Sequence, residues 1–575
     1  MKNIESNIPN VKTRIFVPAK LQLNNWDAIS VLFEDLKNRE INSVDELHNW
    51  LLDRSELEAV LSEYSSRIWI RMTCDTNDTV AKADFDNFYS YIEPQMQRAW
   101  HILNIKFNDS PFKDDLDNEI FGVYKKIIKT QINFYCEENV EPNAEISKLK
   151  AEYSKITGAM TIEYNGETMT MQKASLFLKS SNRNIRETVF NKIYARRKED
   201  EQKLNTLFSD LLKLRHKVAI NAKYDDFRDY MFQELCRFDY NAQDCFDFHT
   251  TIEKNITPIA ERILTKRKQN LNLSQLKPWD LNAEPNGKDA LKAFTDDQDL
   301  ISKSIECFDK LHPYFGNCIR KMKAINHLDL NSRIGKAPGG YMSPLYETSI
   351  PFIFMNGVGS LKDLVTMVHE SGHAFHEFLT AKYDITAFKQ YPSEIAELAS
   401  MSMELLTMDH WDTFFNNEQD LIRAKKEHLE DIFIMLPWIA TIDAYQHWLY
   451  TNPYHSLEER GRKWIEIYQR FHPKIVNWDG LEHIQSMIWQ RQLHLYEVPF
   501  YYIEYGMAQL GAIAIWMNFK KDSQKTLEAY IQALSVGYTK SIPDVYKIAG
   551  IEFEFSNTYV RNLAEFVHTE LTELY

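Results

Sequence analysis

The feature that most constrains the fold of this chain is the spacing of its apolar residues, which recur every three or four positions over most of the sequence. The stretch LFSDLLKLRHKVAI (207–220) shows the pattern, which is typical of helices with one buried face. Only 17 Gly and 18 Pro interrupt the 575 residues, which indicates long elements and few tight turns. A chain of this length exceeds what one hydrophobic core organises. We therefore predict a mostly α fold with at least two lobes.

Two segments predict β-strands within this helical chain. MTIEYNGETMTM (160–171) has alternating residues on both sides of Asn165-Gly166, which favours a tight hairpin. ETSIPFIFMN (347–356) is rich in β-branched and aromatic residues, and because Pro351 lacks a backbone donor we expect an edge strand there. We assign the hairpin to a helical N-terminal lobe of residues 1–190, and residues 191–575 to a second region.

Composition and charge exclude several classes of partner. The formal charge of −15 is spread along the chain without a basic stripe, which argues against nucleic acid as a partner. No apolar run is long enough to span a bilayer, and the first residues lack the apolar stretch of a secretory signal. Six cysteines without a C-x-x-C pair are typical of a reducing compartment. We expect a cytoplasmic, membrane-free protein whose oligomeric state the sequence leaves open.

Ionisable residues are concentrated in one apolar, helix-like stretch, LVTMVHESGHAFHEF (364–378). Ser360 and Asp363 form a capping-box pattern that predicts a helix starting near Leu361. On that helix His369 and His373 are four residues apart, so both imidazoles project from one face and can bind one Zn²⁺ at about 2.0–2.1 Å. Glu370 lies beside the first ligand and can act as general base toward a water that the zinc activates.

A third metal ligand is expected downstream, in YPSEIAELASMSMELL (391–406). We interpret Ser393 as the N-cap of a helix and Glu394 as a first-turn carboxylate that complements the helix dipole. Glu397 lies one turn further on, among apolar residues, where an unpaired carboxylate would be costly. We therefore predict Glu397 as the third ligand. Glu404, on the same face, is predicted to accept the far N–H of a ligating imidazole.

These motifs resemble the thimet oligopeptidase and oligoendopeptidase F family of zinc metallopeptidases, and most closely its bacterial oligoendopeptidase F branch. The resemblance lies in HESGHAFHEF, SEIAELASMSMEL, the lead-in IPFIFMNGVGSLKDL and the earlier APGGYMSP (337–344). It implies a neurolysin-like fold of two helical lobes flanking a deep substrate channel, with one Zn²⁺ per chain on the channel floor and short peptides as substrates. It also implies that a strand containing Phe352 and Phe354 runs beside the site and binds substrate through its backbone.

A second group of candidates lies in RQLHLYEVPFYYIEYGMAQLG (491–511). An aromatic helix packed in the core explains this segment without any function. Through the family resemblance, His494, Tyr501 and Tyr505 would stabilise the oxyanion, and Tyr502 would bind substrate. The match is partial, because this chain has EVPF where mammalian members have glycines, and the spacing from histidine to tyrosine differs.

The leading hypothesis is a zinc endopeptidase that cleaves internal bonds of short peptides. A zinc carboxypeptidase and a non-catalytic peptide carrier or chaperone that retains a metal site are the alternatives. Glu370 argues against the carrier, because a structural zinc site needs no adjacent carboxylate. Mn²⁺ or Co²⁺ could occupy the same ligands. Asp443 and His447, four residues apart in IDAYQHW, are interpreted as structural.

Overall fold

The computed structural model describes residues 13–76, 78–283, 288, 290–333, 335–337 and 339–574. Most of these residues are helical, which confirms the predicted fold class. Five helices precede residue 135: α1 (Trp26–Asn38), α2 (Val44–Cys74), α3 (Thr79–Asn87), α4 (Glu93–Asp109) and α5 (Asn118–Phe134), with a π-helix at Phe88–Ile92. They share one hydrophobic core, in which Trp50 and Leu47 of α2 are fully buried.

In the described residues, nine further helices lead to the second sheet and contribute to a larger core. Their helical period is the one expected from the sequence, since each buries a single apolar face. They are α6 (Val140–Gly158), α7 (Met171–Leu176), α8 (Arg183–Glu199), α9 (Glu201–Asn221), α10 (Phe227–Glu234), α11 (Ala242–Asn255), α12 (Thr257–Asn270), α13 (Asp297–Leu311) and α14 (Pro313–Ala324).

The predicted hairpin is confirmed. Strands β1 (Thr161–Tyr164) and β2 (Glu167–Thr170) pair antiparallel, with Tyr164 opposite Glu167. Asn165 and Gly166 form the turn with φ of 54° and 80°, the left-handed values that a two-residue turn of this type requires. The inward residues of this hairpin pack into the larger core rather than into that of α1–α5. The division of the chain at residue 190 stays a prediction.

The second sheet corrects the expected position of the strand after Pro351. Strand β5 (Phe352–Gly357) lies in the centre, parallel to β3 (Leu328–Asn331) and antiparallel to β4 (Tyr341–Ser343). It is a strand, as predicted, but it is not an edge strand. Pro351 precedes the first ladder residue, so its missing donor removes no sheet hydrogen bond. Backbone pairing of a substrate with β5 is therefore excluded in this arrangement, because both of its edges are occupied.

Ten helices follow the sheet and complete the larger core. Helix α16 packs between α15 and α21, and these three helices carry most of the candidate site residues. The ten are α15 (Leu361–Thr380), α16 (Ser393–Thr407), α17 (Glu418–Thr451), α18 (Leu457–Phe471), α19 (Glu482–Met487), α20 (Leu493–Glu497), α21 (Tyr502–Phe519), α22 (Ser523–Leu534), α23 (Ile542–Ile548) and α24 (Asn557–Glu573). In the described part of the chain, no helix is both long enough and apolar enough to cross a bilayer.

The end of α2 joins the first core to the second sheet. Ile70 packs with Leu345 and with residues of β5 in a small separate cluster. The Thr73 hydroxyl lies 2.5 Å from that of Tyr341, and the Thr73 carbonyl accepts a hydrogen bond from the Ala337 amide at 2.8 Å. Strand β4 is thus held by a helix that lies more than 260 residues earlier in the chain.

Candidate metal centre

Helix α15 begins as the sequence predicts. The Ser360 hydroxyl accepts a hydrogen bond from the Asp363 amide at 3.3 Å, and the Asp363 carboxylate accepts one from the Ser360 amide at 2.9 Å. This capping box fixes the start of the helix at Leu361. Two turns later the His369 and His373 rings lie on one face, with their centroids 4.9 Å apart. The two imidazoles therefore point into the same volume.

Glu397 of α16 completes a cluster of three possible ligands. Its Oε2 lies 3.3 Å from His369 Nε2 and 3.7 Å from His373 Nε2. The ligand atoms of the three residues all lie within 4.8 Å of one another. Two imidazoles and one carboxylate are a donor set that suits a catalytic zinc ion, which keeps a further position for substrate or solvent.

Glu394, the other carboxylate considered for this position, points elsewhere. It accepts a hydrogen bond from the Tyr240 hydroxyl at 2.6 Å and does not join the cluster. The start of α16 also differs by one residue from the expectation. Pro392 occupies the N-cap position and Ser393 is the first helical residue, so the predicted serine cap does not form. Proline fits there because its fixed φ is compatible with the cap and its side chain needs no hydrogen bond.

The close approach of α15 and α16 depends on Gly372. A Cβ atom at this position would lie 2.6 Å from the Ser400 Cα and 2.8 Å from the Ala399 carbonyl oxygen. Both are backbone atoms, which no side-chain rotation can move. The glycine between the two histidines therefore lets the helix that carries Glu397 lie directly against the helix that carries His369 and His373.

Hydrogen bonds on the far side of the ligands set their orientation. Glu404 Oε1 lies 2.6 Å from His369 Nδ1, which leaves Nε2 directed at the cluster. The other oxygen of Glu404 lies 3.6 Å from His428 Nε2 of α17. The backbone of Ala396 contacts His373 in the same way, and the Ser400 hydroxyl donates to Glu397 Oε2 at 3.1 Å. No pattern in the sequence pointed to His428, which lies outside every motif.

The pKa values of the three residues in the cluster differ strongly from their usual values. Burial raises the pKa of Glu397, but His373, His369 and the Tyr501 hydroxyl outweigh it and lower that pKa to about 2. Burial lowers the pKa of His373 to about 4. Burial also acts to lower the pKa of His369, but Glu397 and Glu404 raise it well above its usual value. Glu397 is thus ionised, as a metal ligand must be, and a bound cation would take the place of the proton on His369.

Glu370 faces the space between α15 and strand β4. Its side chain is 7% exposed, and burial raises its pKa to about 7. The carboxyl group accepts a hydrogen bond from the backbone of Met342. Gly340 lies close by, since a Cβ there would come 3.9 Å from Glu370 Oε1. A carboxyl group with a pKa near neutrality is suited to take and release a proton.

A relay of hydrogen bonds fixes the ring of His494. The Trp438 indole N–H donates to Gln492 Oε1 at 2.9 Å, so the amide NH₂ of Gln492 faces His494 Nδ1 at 2.7 Å. Because Nδ1 accepts this bond, the ring proton lies on Nε2. Burial lowers the pKa of His494 to about 4, so the ring is neutral near pH 7. Sequence reasoning missed Gln492, although it is only two residues from His494, and it missed Trp438 because no spacing links α17 to this segment.

The three candidate tyrosines surround His494. The rings of Tyr501, Tyr502 and Tyr505 lie 6.1, 4.8 and 5.7 Å from the imidazole, measured between centroids. The Tyr501 hydroxyl donates to Glu397 Oε1 at 2.8 Å and therefore contacts the possible metal ligand itself. Tyr502 is 6% exposed, and its ring centroid lies 5.4 Å from that of Tyr505. Of these three tyrosines, only Tyr505 is partly exposed and makes no hydrogen bond to Glu397.

The two phenylalanines predicted to bind substrate lie in the sheet. Phe354 is fully buried, stacked on Tyr341 with centroids 4.8 Å apart and with Lys336 Nζ 4.4 Å from its ring centre. Phe352 is 9% exposed and packs with Leu345. The structure thus places both side chains in packing positions and brings neither to the cluster of His369, His373 and Glu397.

Two adjoining cavities reach this region from the side of α2. The first, of ≈ 450 Å³, is lined by residues of α2, α4 and α5, and the second, of ≈ 220 Å³, extends to Tyr501. Asn143, Tyr230 and Glu234 line both, so the two lie side by side. Charged side chains of both signs line the second cavity, including Lys150, Arg215 and Glu497.

Comparison with known proteins shows which families and solved structures this chain is similar to. The chain matches peptidase family M3 over residues 176–565 and the peptidase M3 N-terminal domain over residues 16–135. A solved structure of PZ peptidase A with an inhibitor superposes with a TM-score of 0.91 at 25% identity, covering 97% of this chain and 99% of the other.

Two bacterial relatives are similar in sequence. Oligopeptidase PepF of Bacillus subtilis is 24% identical over 380 residues, which is 65% of this chain and 55% of the relative. The chain thus aligns with little more than half the length of that protein. An oligoendopeptidase F homolog of Borreliella burgdorferi is 23% identical over 445 residues, covering 74% of this chain and 73% of the relative.

Proposed function

This chain belongs to peptidase family M3, and on that premise we propose that it is a zinc-dependent endopeptidase that hydrolyses internal bonds of short peptides. The observation that carries the proposal is the convergence of His369, His373 and Glu397 beside a buried, proton-accepting Glu370. We propose residues 191–575 as the catalytic region and residues 1–190 as a helical lobe across a substrate channel. The six cysteines, none of which forms a disulfide, support a cytoplasmic location.

His369, His373 and Glu397 would hold the metal, and Glu404 and Ala396 would keep the two imidazoles in register. When bound, Zn²⁺ would supply Lewis acidity and lower the pKa of a water molecule to about 7. We propose zinc rather than Mn²⁺ or Co²⁺ because two imidazoles and one carboxylate are typical ligands of catalytic zinc.

Glu370 is the proposed general base. Its carboxyl group would accept the proton of the attacking water and pass that proton to the amine that leaves. The pKa of about 7 suits both transfers, since the group then releases a proton almost as readily as it takes one. The backbone of Met342 keeps the carboxyl group in place during the exchange.

His494 and Tyr505 are the proposed donors to the carbonyl oxygen as it becomes negative. The relay from Trp438 through Gln492 leaves the His494 Nε2 proton available for this bond. Tyr505 lies 5.7 Å from His494 between ring centroids, close enough for both to approach one oxygen atom. Tyr501 would act mainly by positioning Glu397, and Tyr502 by packing against His494.

Strand β4 is the proposed binding edge for the substrate backbone, in place of β5. Strand β4 is one of the two edge strands of the described sheet, since it pairs only with β5. Its residue Met342 contacts Glu370. An extended peptide added to the outer edge of β4 would therefore run alongside the general base. This replaces the predicted role of Phe352 and Phe354, whose strand has both edges paired.

Glu370→Gln tests the proposal against its alternatives. We expect about one zinc ion at this site in both the parent protein and the variant, with cleavage of a mixed peptide library by the parent protein alone. Internal cleavage products support an endopeptidase, whereas stepwise loss of single C-terminal residues would indicate a carboxypeptidase. A parent protein that binds zinc but leaves every peptide intact would favour the non-catalytic carrier. Parental turnover by the variant would remove Glu370 from the mechanism.

A further inference from the structure

A second group of metal-binding side chains lies in the core, away from the cluster of α15 and α16. Cys245 comes from α11, and Asp443 and His447 come from adjacent turns of α17. Each offers one ligand atom, and these three atoms lie within 4.8 Å of one another. The three residues are 0%, 0% and 4% exposed, so the group is enclosed by protein.

Hydrogen bonding leaves this group incomplete. His249 Nε2 lies 2.8 Å from Asp443 Oδ2, but Asp443 Oδ1 has no partner within the part of the chain that the structure describes. His447 Nε2 lies 3.3 Å from the same oxygen, Asp443 Oδ2, and His447 Nδ1 has no partner among the described residues. Buried polar atoms are almost always satisfied, so each unpaired one needs an explanation.

Aromatic rings surround His447, which makes an unpaired polar atom in this group costly. The rings of Phe246 and Phe500 lie 4.8 and 5.4 Å from that of His447, between centroids. In such an apolar pocket a carboxylate is costly unless a cation or several donors compensate its charge. His249 can supply one donor to Asp443. The second oxygen of Asp443, the His447 ring and the Cys245 sulfur then share no partner among the described residues.

We propose that Cys245, Asp443 and His447 bind a second divalent metal ion, with zinc as the preferred ion and His249 orienting the carboxylate. One thiolate, one imidazole and one carboxylate oxygen are ligands that zinc accepts together. Binding requires the sulfur to lose its proton, which is released to solvent. The ion would join α11 to α17, so its role is structural. The proposal does not depend on the peptidase activity.

The second site differs from the first in one property that can be measured directly, because only the second contains a sulfur ligand. A protein produced with Co²⁺ in place of zinc should show the near-ultraviolet charge-transfer absorption of a cobalt thiolate. The double variant His369→Ala, His373→Ala should keep this band, and Cys245→Ser should lose it. Cys307→Ser is the matched control, since Cys307 is also fully buried but belongs to no metal-binding group of the described residues.

Metal content gives an independent measurement on the zinc-bound proteins. We expect two zinc ions per chain in the parent protein and in Cys307→Ser, and one in Cys245→Ser and in the double histidine variant. Peptide hydrolysis should persist in Cys245→Ser, so failure of the second site and failure of the peptidase proposal are distinguishable. Should Cys245→Ser fail to fold, the cobalt spectrum of the double variant still decides. A single zinc ion in the parent protein with no thiolate band would overturn the proposal.

Discussion

Replacement of Gly372 by alanine tests whether the contact between α15 and α16 determines metal binding. The new Cβ would lie 2.6 Å from the Ser400 Cα, whereas non-bonded carbon atoms ordinarily lie about 3.5–4.0 Å apart. The two helices would have to separate by roughly 1 Å to restore an ordinary contact. Such a movement carries Glu397 away from the two imidazoles, and metal ligands tolerate only about ±0.2 Å.

The magnitude follows from two opposing effects. Alanine is favoured over glycine inside a helix by about 0.5–1 kcal/mol. Overpacking in a dense core costs about 1–3 kcal/mol, and we expect the upper end because the opposing atoms belong to the backbone. Gly461→Ala in α18 is the matched control, since a Cβ there meets no atom within 4 Å and gains only the helical preference.

We therefore expect the free energy of unfolding of Gly372→Ala to lie about 3 kcal/mol below that of Gly461→Ala, measured by urea denaturation of the metal-free proteins. Zinc affinity should fall at least about 10-fold in Gly372→Ala, the lower end of the loss caused by misoriented ligands, and stay unchanged in Gly461→Ala. If the two variants matched in both stability and zinc affinity, the close helix contact would not control the geometry of the site.

The remaining predictions concern the buried Glu377 and the partly buried Gln492. Burial raises the pKa of Glu377 to about 8, above its value in the unfolded chain, so its contribution to stability is complete in acid and is lost as the pH rises to about 8. The free energy of unfolding of Glu377→Gln, relative to the parent protein, should accordingly increase between pH 5 and pH 8 and then level off. Parallel stability curves over that range would contradict this assignment. Gln492→Glu should raise the pKa of His494 from about 4, because a carboxylate beside Nδ1 favours the protonated ring. Measured by NMR titration of the imidazole, the pKa of His494 should be higher in Gln492→Glu than in the parent protein, with zinc content unchanged, and equal values would remove the relay from the mechanism.

Local patterns predicted the parts of the fold that depend on neighbouring residues. The capping box of Ser360 and Asp363 marked the start of α15, and Asn165-Gly166 marked the hairpin, because both signals are completed within a few positions. The helical period placed His369 and His373 on one face for the same reason. Family resemblance and helix spacing together pointed to Glu397, which the structure brings to the two rings.

Long-range pairing was beyond these patterns. The three residues of β4 are too few to show alternation, so the sequence could not show that β5 would be covered on both sides. The proline rule misled because Pro351 lies just outside the ladder. Trp438 and His428 of α17 reach Gln492 and Glu404 only after distant helices pack, and an isolated residue in a helix carries no spacing that marks it.

The attachment of α2 to strand β4 couples the first helices to the strand beside Glu370. Thr73 is hydrogen bonded to the strand segment that touches Glu370, while the rest of its helix is anchored in the first core. Any movement of the first helices would therefore displace the edge of β4 that is proposed to bind the peptide. Opening to admit a substrate and closing around it would then be coupled. Removal of the first helices would weaken peptide binding even with every metal ligand intact.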